Sequence, residues 1–132
     1  GRADISVFRP ETGVWYLLNS QTGFTGAQFG ISTDKLAPAD FDGDGKTDIA
    51  LYRPSTGNWY RLNSGDGQFV PAQFGTADDR PTPGDFDGDG KFDLAVFRSS
   101  SGAWYLLPSS QQFTAFQFGT GGDLPAANAF VR

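Results

Sequence analysis

A Trp-Tyr pair recurs at Trp15-Tyr16, Trp59-Tyr60 and Trp104-Tyr105, at intervals of about 45 residues. A fixed period of that length constrains the fold more than any other feature of the chain. It means that one supersecondary unit is repeated, and that no single unit buries its apolar faces alone. Other stations keep the same period. Val7-Phe8-Arg9 returns as Leu51-Tyr52-Arg53 and Val96-Phe97-Arg98. The turn Pro10-Glu11-Thr12-Gly13 returns as Pro54-Ser55-Thr56-Gly57 and Ser99-Ser100-Ser101-Gly102, and Gln28-Phe29-Gly30 as Gln73-Phe74-Gly75 and Gln117-Phe118-Gly119. Three units cover essentially the whole chain.

Each unit reads as β. In the middle one, residues 48–53 are a short apolar run of strand formers. Residues 58–63 form a second strand after the Pro-Ser-Thr-Gly turn, and residues 68–74 a third after Ser64-Gly65-Asp66-Gly67. Pro71 has no N–H to give to a ladder, which places the third strand at a sheet edge. A fourth, short strand is expected around Pro81 to Phe86. No stretch holds a helical period over about ten positions, so no helix is expected. Four short strands in a unit of this length is the pattern of a propeller blade. Trp59 and Tyr60, as neighbours on one strand, point to opposite faces. Both faces are therefore apolar, as packing between successive blades requires.

Two of the units carry an acidic loop, Asp40-Phe41-Asp42-Gly43-Asp44-Gly45-Lys46-Thr47-Asp48 in the second and Asp85-Phe86-Asp87-Gly88-Asp89-Gly90-Lys91-Phe92-Asp93 in the third. Each puts four carboxylates into nine residues with glycines among them. Like charges so close repel unless a cation sits among them or the loop stays fully solvated. Positions one, three and five can point inward from a tight loop, and position nine can close it. Such hard oxygen donors suit calcium. The formal charge is −5, yet eight of the 15 acids lie in these loops. Two Ca²⁺ ions would leave about −1. The acidity thus points to cation sites and away from a nucleic-acid partner, which needs a basic face.

The chain has no Cys, His or Met. Disulfides and thiol chemistry are excluded, and the commonest general base and zinc ligand are missing. Each carboxylate pair that might hydrolyse a glycoside already has a metal-ligand explanation, so no enzyme is expected. No apolar run approaches membrane-spanning length, and no signal peptide is present.

At these residues the chain resembles the FG-GAP and VCBS-type repeats, the blades also found in integrin alpha-chain propellers. The resemblance rests on Phe-Gly at the end of the outer strand, then Asp-x-Asp-x-Asp-Gly-x-x-Asp, then an apolar strand. It implies a calcium loop between the first and second strands of a blade. The ligand role it carries falls on Asp40, Asp42, Asp44, Asp48 and the carbonyl of Lys46, and on Asp85, Asp87, Asp89, Asp93 and the carbonyl of Lys91. Two Ca²⁺ per chain follow. An EF-hand fails as the rival, since its closing Glu position holds Leu51 and Val96 and it needs flanking helices.

The expected fold is all-β, a propeller of three four-stranded blades per chain. Units fall at about 1–35, 36–79 and 80–122, with 123–132 as a closing strand. The first unit lacks its opening strand and loop: Gly1-Arg2-Ala3-Asp4 aligns with Gly45-Lys46-Thr47-Asp48, and residues 123–131 align with residues 79–87. Ala129 and Val131 stand where that motif has Asp, and only Asp4 survives, so no third calcium site is expected. The tail is then expected to complete the first blade of a neighbouring copy, head to tail. Propellers have about four to eight blades, which favours a six-bladed dimer over a nine-bladed trimer. The Gly start and mid-blade cut also suit an excised or engineered assembly piece, whose parent would be extracellular or at the cell surface.

The functional expectation is a non-catalytic, calcium-binding propeller module that assembles with itself by strand exchange and serves adhesion or interaction. Its partners are further copies of itself, with a protein or glycan ligand beyond them, no nucleic acid and no membrane insertion. A lectin-like carbohydrate binder is the alternative, since Trp15, Trp59 and Trp104 suit sugars if exposed. Their period and strand location favour core packing instead. Arg9, Arg53 and Arg98 are expected to stack on these aromatics or to pair with loop carboxylates.

Overall fold

The computed structural model describes residues 5–19, 23–110 and 112–126. By packing, the chain divides into two compact units, Gly1–Asp34 and Lys35–Arg132. The first unit holds one antiparallel sheet of three strands, β1 (Ile5–Arg9), β2 (Val14–Asn19) and β3 (Gly23–Gln28), in chain order. The second holds two four-stranded antiparallel sheets. One is β4 (Lys35–Leu36), β5 (Ile49–Arg53), β6 (Asn58–Leu62) and β7 (Phe69–Gln73); the other is β8 (Asp79–Pro81), β9 (Leu94–Arg98), β10 (Ala103–Leu107) and β11 (Thr114–Gln117). Neither contains a helix among the described residues.

The three sheets share one register. Phe8 pairs with Trp15, Tyr52 with Trp59, and Phe97 with Trp104. In each pair the rings meet at a tilt, with centroids 5.4, 5.4 and 5.3 Å apart. Pro71 lies on β7, at an edge, where its missing N–H costs no ladder bond. The expected short strand near Pro81–Phe86 is shifted towards the N-terminus. It runs over Asp79–Pro81, and only a single bridge, Gly84 to Asp93, continues it. Pro83 cannot donate to a ladder, which accounts for the break. Residues 123–126 form no strand, and the rest of the expected closing strand, with Ala129 and Val131, lies outside the described residues, as does Asp4.

The period has a physical cause in each sheet. The turn glycine (Gly13, Gly57, Gly102) has a φ of 67–70°, and a Cβ there would sit 2.3–2.4 Å from the carbonyl oxygen of Gly30, Gly75 or Gly119. Only glycine permits that close approach and that backbone angle together. The turn is then pinned to the outer strand. Phe29, Phe74 and Phe118 donate their N–H to the carbonyls of Gly13, Gly57 and Gly102 at 2.7, 2.9 and 3.0 Å. The indole N–H of Trp15, Trp59 and Trp104 donates in turn to the carbonyls of those same Phe residues at 2.9, 2.8 and 2.9 Å. Trp, turn Gly and Gln-Phe-Gly recur together because they bond to one another.

In the second unit the core joins Ala37, Ala39, Phe41, Ala50, Tyr52, Trp59 and Val96. Burying each large side chain here contributes about 1.5–3 kcal/mol. Phe41 comes from the first acidic loop and meets Trp59 edge-on at 6.5 Å. That contact fixes the loop to the sheet whose β4 and β5 it joins.

Candidate metal centre

Each acidic loop is a closed hairpin-like excursion between paired residues. Ala39 bridges Asp48, and Gly84 bridges Asp93. The Asp48 N–H donates to the Ala39 carbonyl at 2.8 Å, and the Asp93 N–H to that of Gly84 at 2.6 Å. Between these clasps Gly43, Gly45, Gly88 and Gly90 take φ of 80–89°, which lets the chain coil around its own carboxylates.

The first aspartate of each loop caps that coil. Asp40 Oδ1 accepts from the N–H of Gly43 and Asp44 at 2.8 and 3.1 Å, and its Oδ2 from Gly45 at 2.9 Å. Asp85 does the same for Gly88, Asp89 and Gly90 at 2.8, 3.1 and 3.0 Å. The last aspartate is buried and ties the loop to a neighbouring turn. Asp48 accepts from Phe41 N–H at 2.8 Å and from Ser64 N–H at 2.7 Å. Asp93 accepts from Phe86 at 2.7 Å and Ser109 at 2.8 Å. The two loops also touch, since Phe92 N–H donates to the Asp40 carbonyl at 2.8 Å.

These constraints gather Asp40, Asp42 and Asp48 so that one carboxylate oxygen of each lies within 4.8 Å of the others, and Asp85, Asp87 and Asp93 likewise. Asp44 and Asp89 stand outside these two sets. Their carboxylates accept instead from the Lys46 and Lys91 N–H at 2.8 and 2.9 Å and from the hydroxyls of Ser64 and Ser109. The peptide groups of Lys46 and Lys91 thus enter the loops through their N–H. The donor set fits a hard divalent cation, being carboxylate oxygen alone with no nitrogen or sulfur.

Ser64, Ser109 and Ser110 are the residues that motif reasoning missed. They lie outside the acidic stretches, in the turns after β6 and β10. The recurrence of Ser64 at Ser109, at the common period, is the signal that could have found them. They also make the two centres unequal. Where the first has Gly65, whose N–H reaches Asp42 Oδ2 at 3.3 Å, the second has Ser110, whose hydroxyl donates to Asp87 Oδ2 at 2.6 Å. The carboxyls respond in opposite directions. Partial burial, with Asp48 nearby, pushes Asp42 above the usual carboxylate range. The Ser110 hydroxyl holds Asp87 below it. Asp44 is also lowered, chiefly by the Lys46 N–H.

The repeated arginines stack on the tyrosine of each Trp-Tyr pair rather than on the tryptophan. Arg9, Arg53 and Arg98 lie 4.8, 4.7 and 4.5 Å from the ring centres of Tyr16, Tyr60 and Tyr105. Arg98 also pairs with Asp79, which belongs to neither acidic loop.

Residues 40–96 match the model of the FG-GAP-like repeat family. The matched stretch begins at the first aspartate of one acidic loop and ends within β9, so it takes in both centres. Comparisons with curated proteins and with solved structures returned no match.

Proposed function

We propose, on the premise that residues 40–96 carry FG-GAP-like repeat sequence, that this chain is a non-catalytic, calcium-stabilised β-propeller module for interaction or adhesion that assembles with copies of itself. The observation that carries the reading is the pair of matching carboxylate clusters, Asp40, Asp42 and Asp48, then Asp85, Asp87 and Asp93. Two separate loops converge on one geometry that leaves three like charges side by side. Bound calcium would neutralise them and pin each loop, with Asp44, Asp89 and the carbonyls of Lys46 and Lys91 completing the shell. An unfolded loop cannot gather these oxygens, so binding energy becomes folding energy. A parent protein outside the cell would meet the calcium levels at which such modules work.

The sheets support the ring reading. Three similar antiparallel sheets of three, four and four strands match blades in strand number and pairing. They are too few to close, and a second copy brings the number within the propeller range of about four to eight. The glycan-binding reading loses its main support, because Trp15 and Trp59 are buried and the indole N–H of all three tryptophans is already committed. Calorimetric titration of the chelator-treated protein with Ca²⁺ tests the proposal. Two sites per chain and a rise in melting temperature are expected, and no heat with an unchanged melting temperature would sink it.

A further inference from the structure

The first pairs of the β8–β9 ladder are Asp79 with Arg98, Arg80 with Phe97, and Pro81 with Val96. This joint has two prepared halves. On one side, the Thr76 N–H holds Asp79 Oδ2 at 2.8 Å. On the other, Arg98 lies over the Tyr105 ring and points Nη1 towards its hydroxyl at 3.4 Å.

Both halves recur elsewhere in the chain. Asp123 ends a loop of the same kind, with its Oδ2 accepting from the Thr120 N–H at 2.8 Å. Arg9 lies over the Tyr16 ring, with Nη1 on that hydroxyl at 3.1 Å. Yet among the described residues no carboxylate pairs with Arg9 and no cation pairs with Asp123. Apolar exposure follows the same line. Val7 is 57% exposed and Leu124 69%, whereas Leu51 and Val96, the counterparts of Val7, are 1% and 0% exposed. Among the described residues β1 is also the outer strand of its sheet, so its edge offers a ladder.

We infer that Asp123 of one copy binds Arg9 of a second copy, in the register Asp123 to Arg9, Leu124 to Phe8 and Pro125 to Val7. The inference rests on the self-assembly reading above and specifies its joint. Opposite charges on preset side chains fix the register, and the exposed apolar residues close over it. The copy is chosen over a foreign partner because the chain already contains this joint between its own β8 and β9.

A disulfide reads the register directly, since the chain has no cysteine of its own. In the β8–β9 ladder, Pro81 lacks an N–H and the next residue, Thr82, donates to the Ala95 carbonyl at 2.9 Å. Pro81 and Val96 are thus a pair without mutual hydrogen bonds. Such pairs have Cα atoms about 4.5 Å apart, within disulfide reach. The variant Val7→Cys with Pro125→Cys should cross-link between chains on mild oxidation, giving covalent multiples of 14.2 kDa that reductant collapses. Phe8→Cys with Pro125→Cys, one position off and on the opposite face, should not. Light scattering of the unmodified protein is read alongside. A lone 14.2 kDa particle there overturns the self-assembly reading and this inference with it. An assembly in which the in-register pair fails to cross-link, links only within one chain, or links no better than the off-register pair overturns the register alone. As a second measurement, Asp123→Asn keeps an acceptor for the Thr120 N–H but removes the charge. It should weaken self-association by about tenfold or more, and unchanged association overturns the ion pair.

Discussion

Asp79 and Arg98 face each other across β8 and β9 through a two-armed ion pair, with Nε on Oδ1 at 2.7 Å and Nη2 on Oδ2 at 3.0 Å. Asp79 is completely buried, and its carboxylate also accepts from the Thr76 N–H. The pair therefore fixes both the start of β8 and the loop that leads into it. Lys35 adds to the same point, donating from Nζ to the Asp79 carbonyl at 3.1 Å. Asp79 in turn raises the pKa of Arg98, which keeps the guanidinium charged at any working pH.

Removing Asp79 leaves the half-buried Arg98 guanidinium and the Thr76 N–H without this partner. Asp79→Ala should destabilise the chain by about 1–3 kcal/mol. Asp79→Asn, which keeps an acceptor for the Thr76 N–H, should cost less. Urea midpoints for both variants check the order, and an Asp79→Ala midpoint equal to the parent's would show that the pair is not structural.

Tyr52 sits against the same loop. Its hydroxyl donates to the Thr76 carbonyl and its side chain is fully buried. Burial, with the Asp79 carboxylate close by, pushes the phenol from 10.0 up to about 12. The sign follows from the neutral form being favoured in the fold. This contribution is fully present below pH 10.0, the ordinary value, and is lost as pH rises from there through about 12. Tyrosinate absorbance should show one tyrosine titrating late, together with alkaline unfolding, and Tyr52→Phe should abolish that late step.

The backbone contact at the turn glycines gives a third test. Gly57 has a φ of 70°, and a Cβ there would lie 2.4 Å from the Gly75 carbonyl oxygen. Gly57→Ala should cost at least about 1–3 kcal/mol through strain and the displaced strand end. Gly67 also has a φ of 70°, but nothing lies within 4 Å of its added Cβ. Gly67→Ala should therefore cost only the backbone part, and thermal melts of the two variants separate the terms.

That contrast bears on what the sequence made legible. The period located Trp, turn Gly and Gln-Phe-Gly as stations, but not the bonds among them. Those bonds join residues about 15 apart that sit side by side only once the sheet forms. The strands of the middle unit were legible to within a residue because each is an apolar run closed by a turn. The short strand before the second loop was not, because three residues carry almost no periodic signal and Pro83 stops the ladder just beyond them. In the loops the aspartate ladder was visible as a motif. Its division of labour was not: Asp40 caps the coil, Asp48 ties it to the next turn, and Asp44 turns towards Ser64. The serines escaped because a hydroxyl in a Ser-Gly turn looks like turn chemistry alone.

Ser110 separates the two centres in acid. Its hydroxyl keeps the Asp87 carboxyl below the usual range, so the charged form is favoured in the fold. The stability this provides is present above the ordinary carboxylate value and is lost as pH falls through the lowered one. Ser110→Gly should move Asp87 upward, towards the behaviour of Asp42, which faces Gly65 in the equivalent place. Carboxyl chemical shifts followed through an acid titration of the calcium-free protein measure it. An Asp87 midpoint unmoved by the substitution would show that the hydroxyl is not the cause.

Asp93 and Asp89 occupy one loop but answer to different forces. Asp93 is buried, and its two oxygens take the N–H groups of Phe86 and Ser109, which staples the loop to the turn after β10. Asp93→Ala leaves both donors unpaired and should cost at least about 2 kcal/mol even in chelator. Asp89 is exposed, and its side chain holds the Lys91 N–H and the Ser109 hydroxyl. Asp89→Ala should change the melting temperature little in chelator. Its effect should appear only with calcium, as a loss of the ion-dependent rise at one of the two centres. Melts of both variants, with and without calcium, therefore distinguish a carboxylate that also builds the loop from one that serves the ion alone. Equal losses for Asp89→Ala in both media would show that Asp89, like Asp93, holds the loop together without the ion.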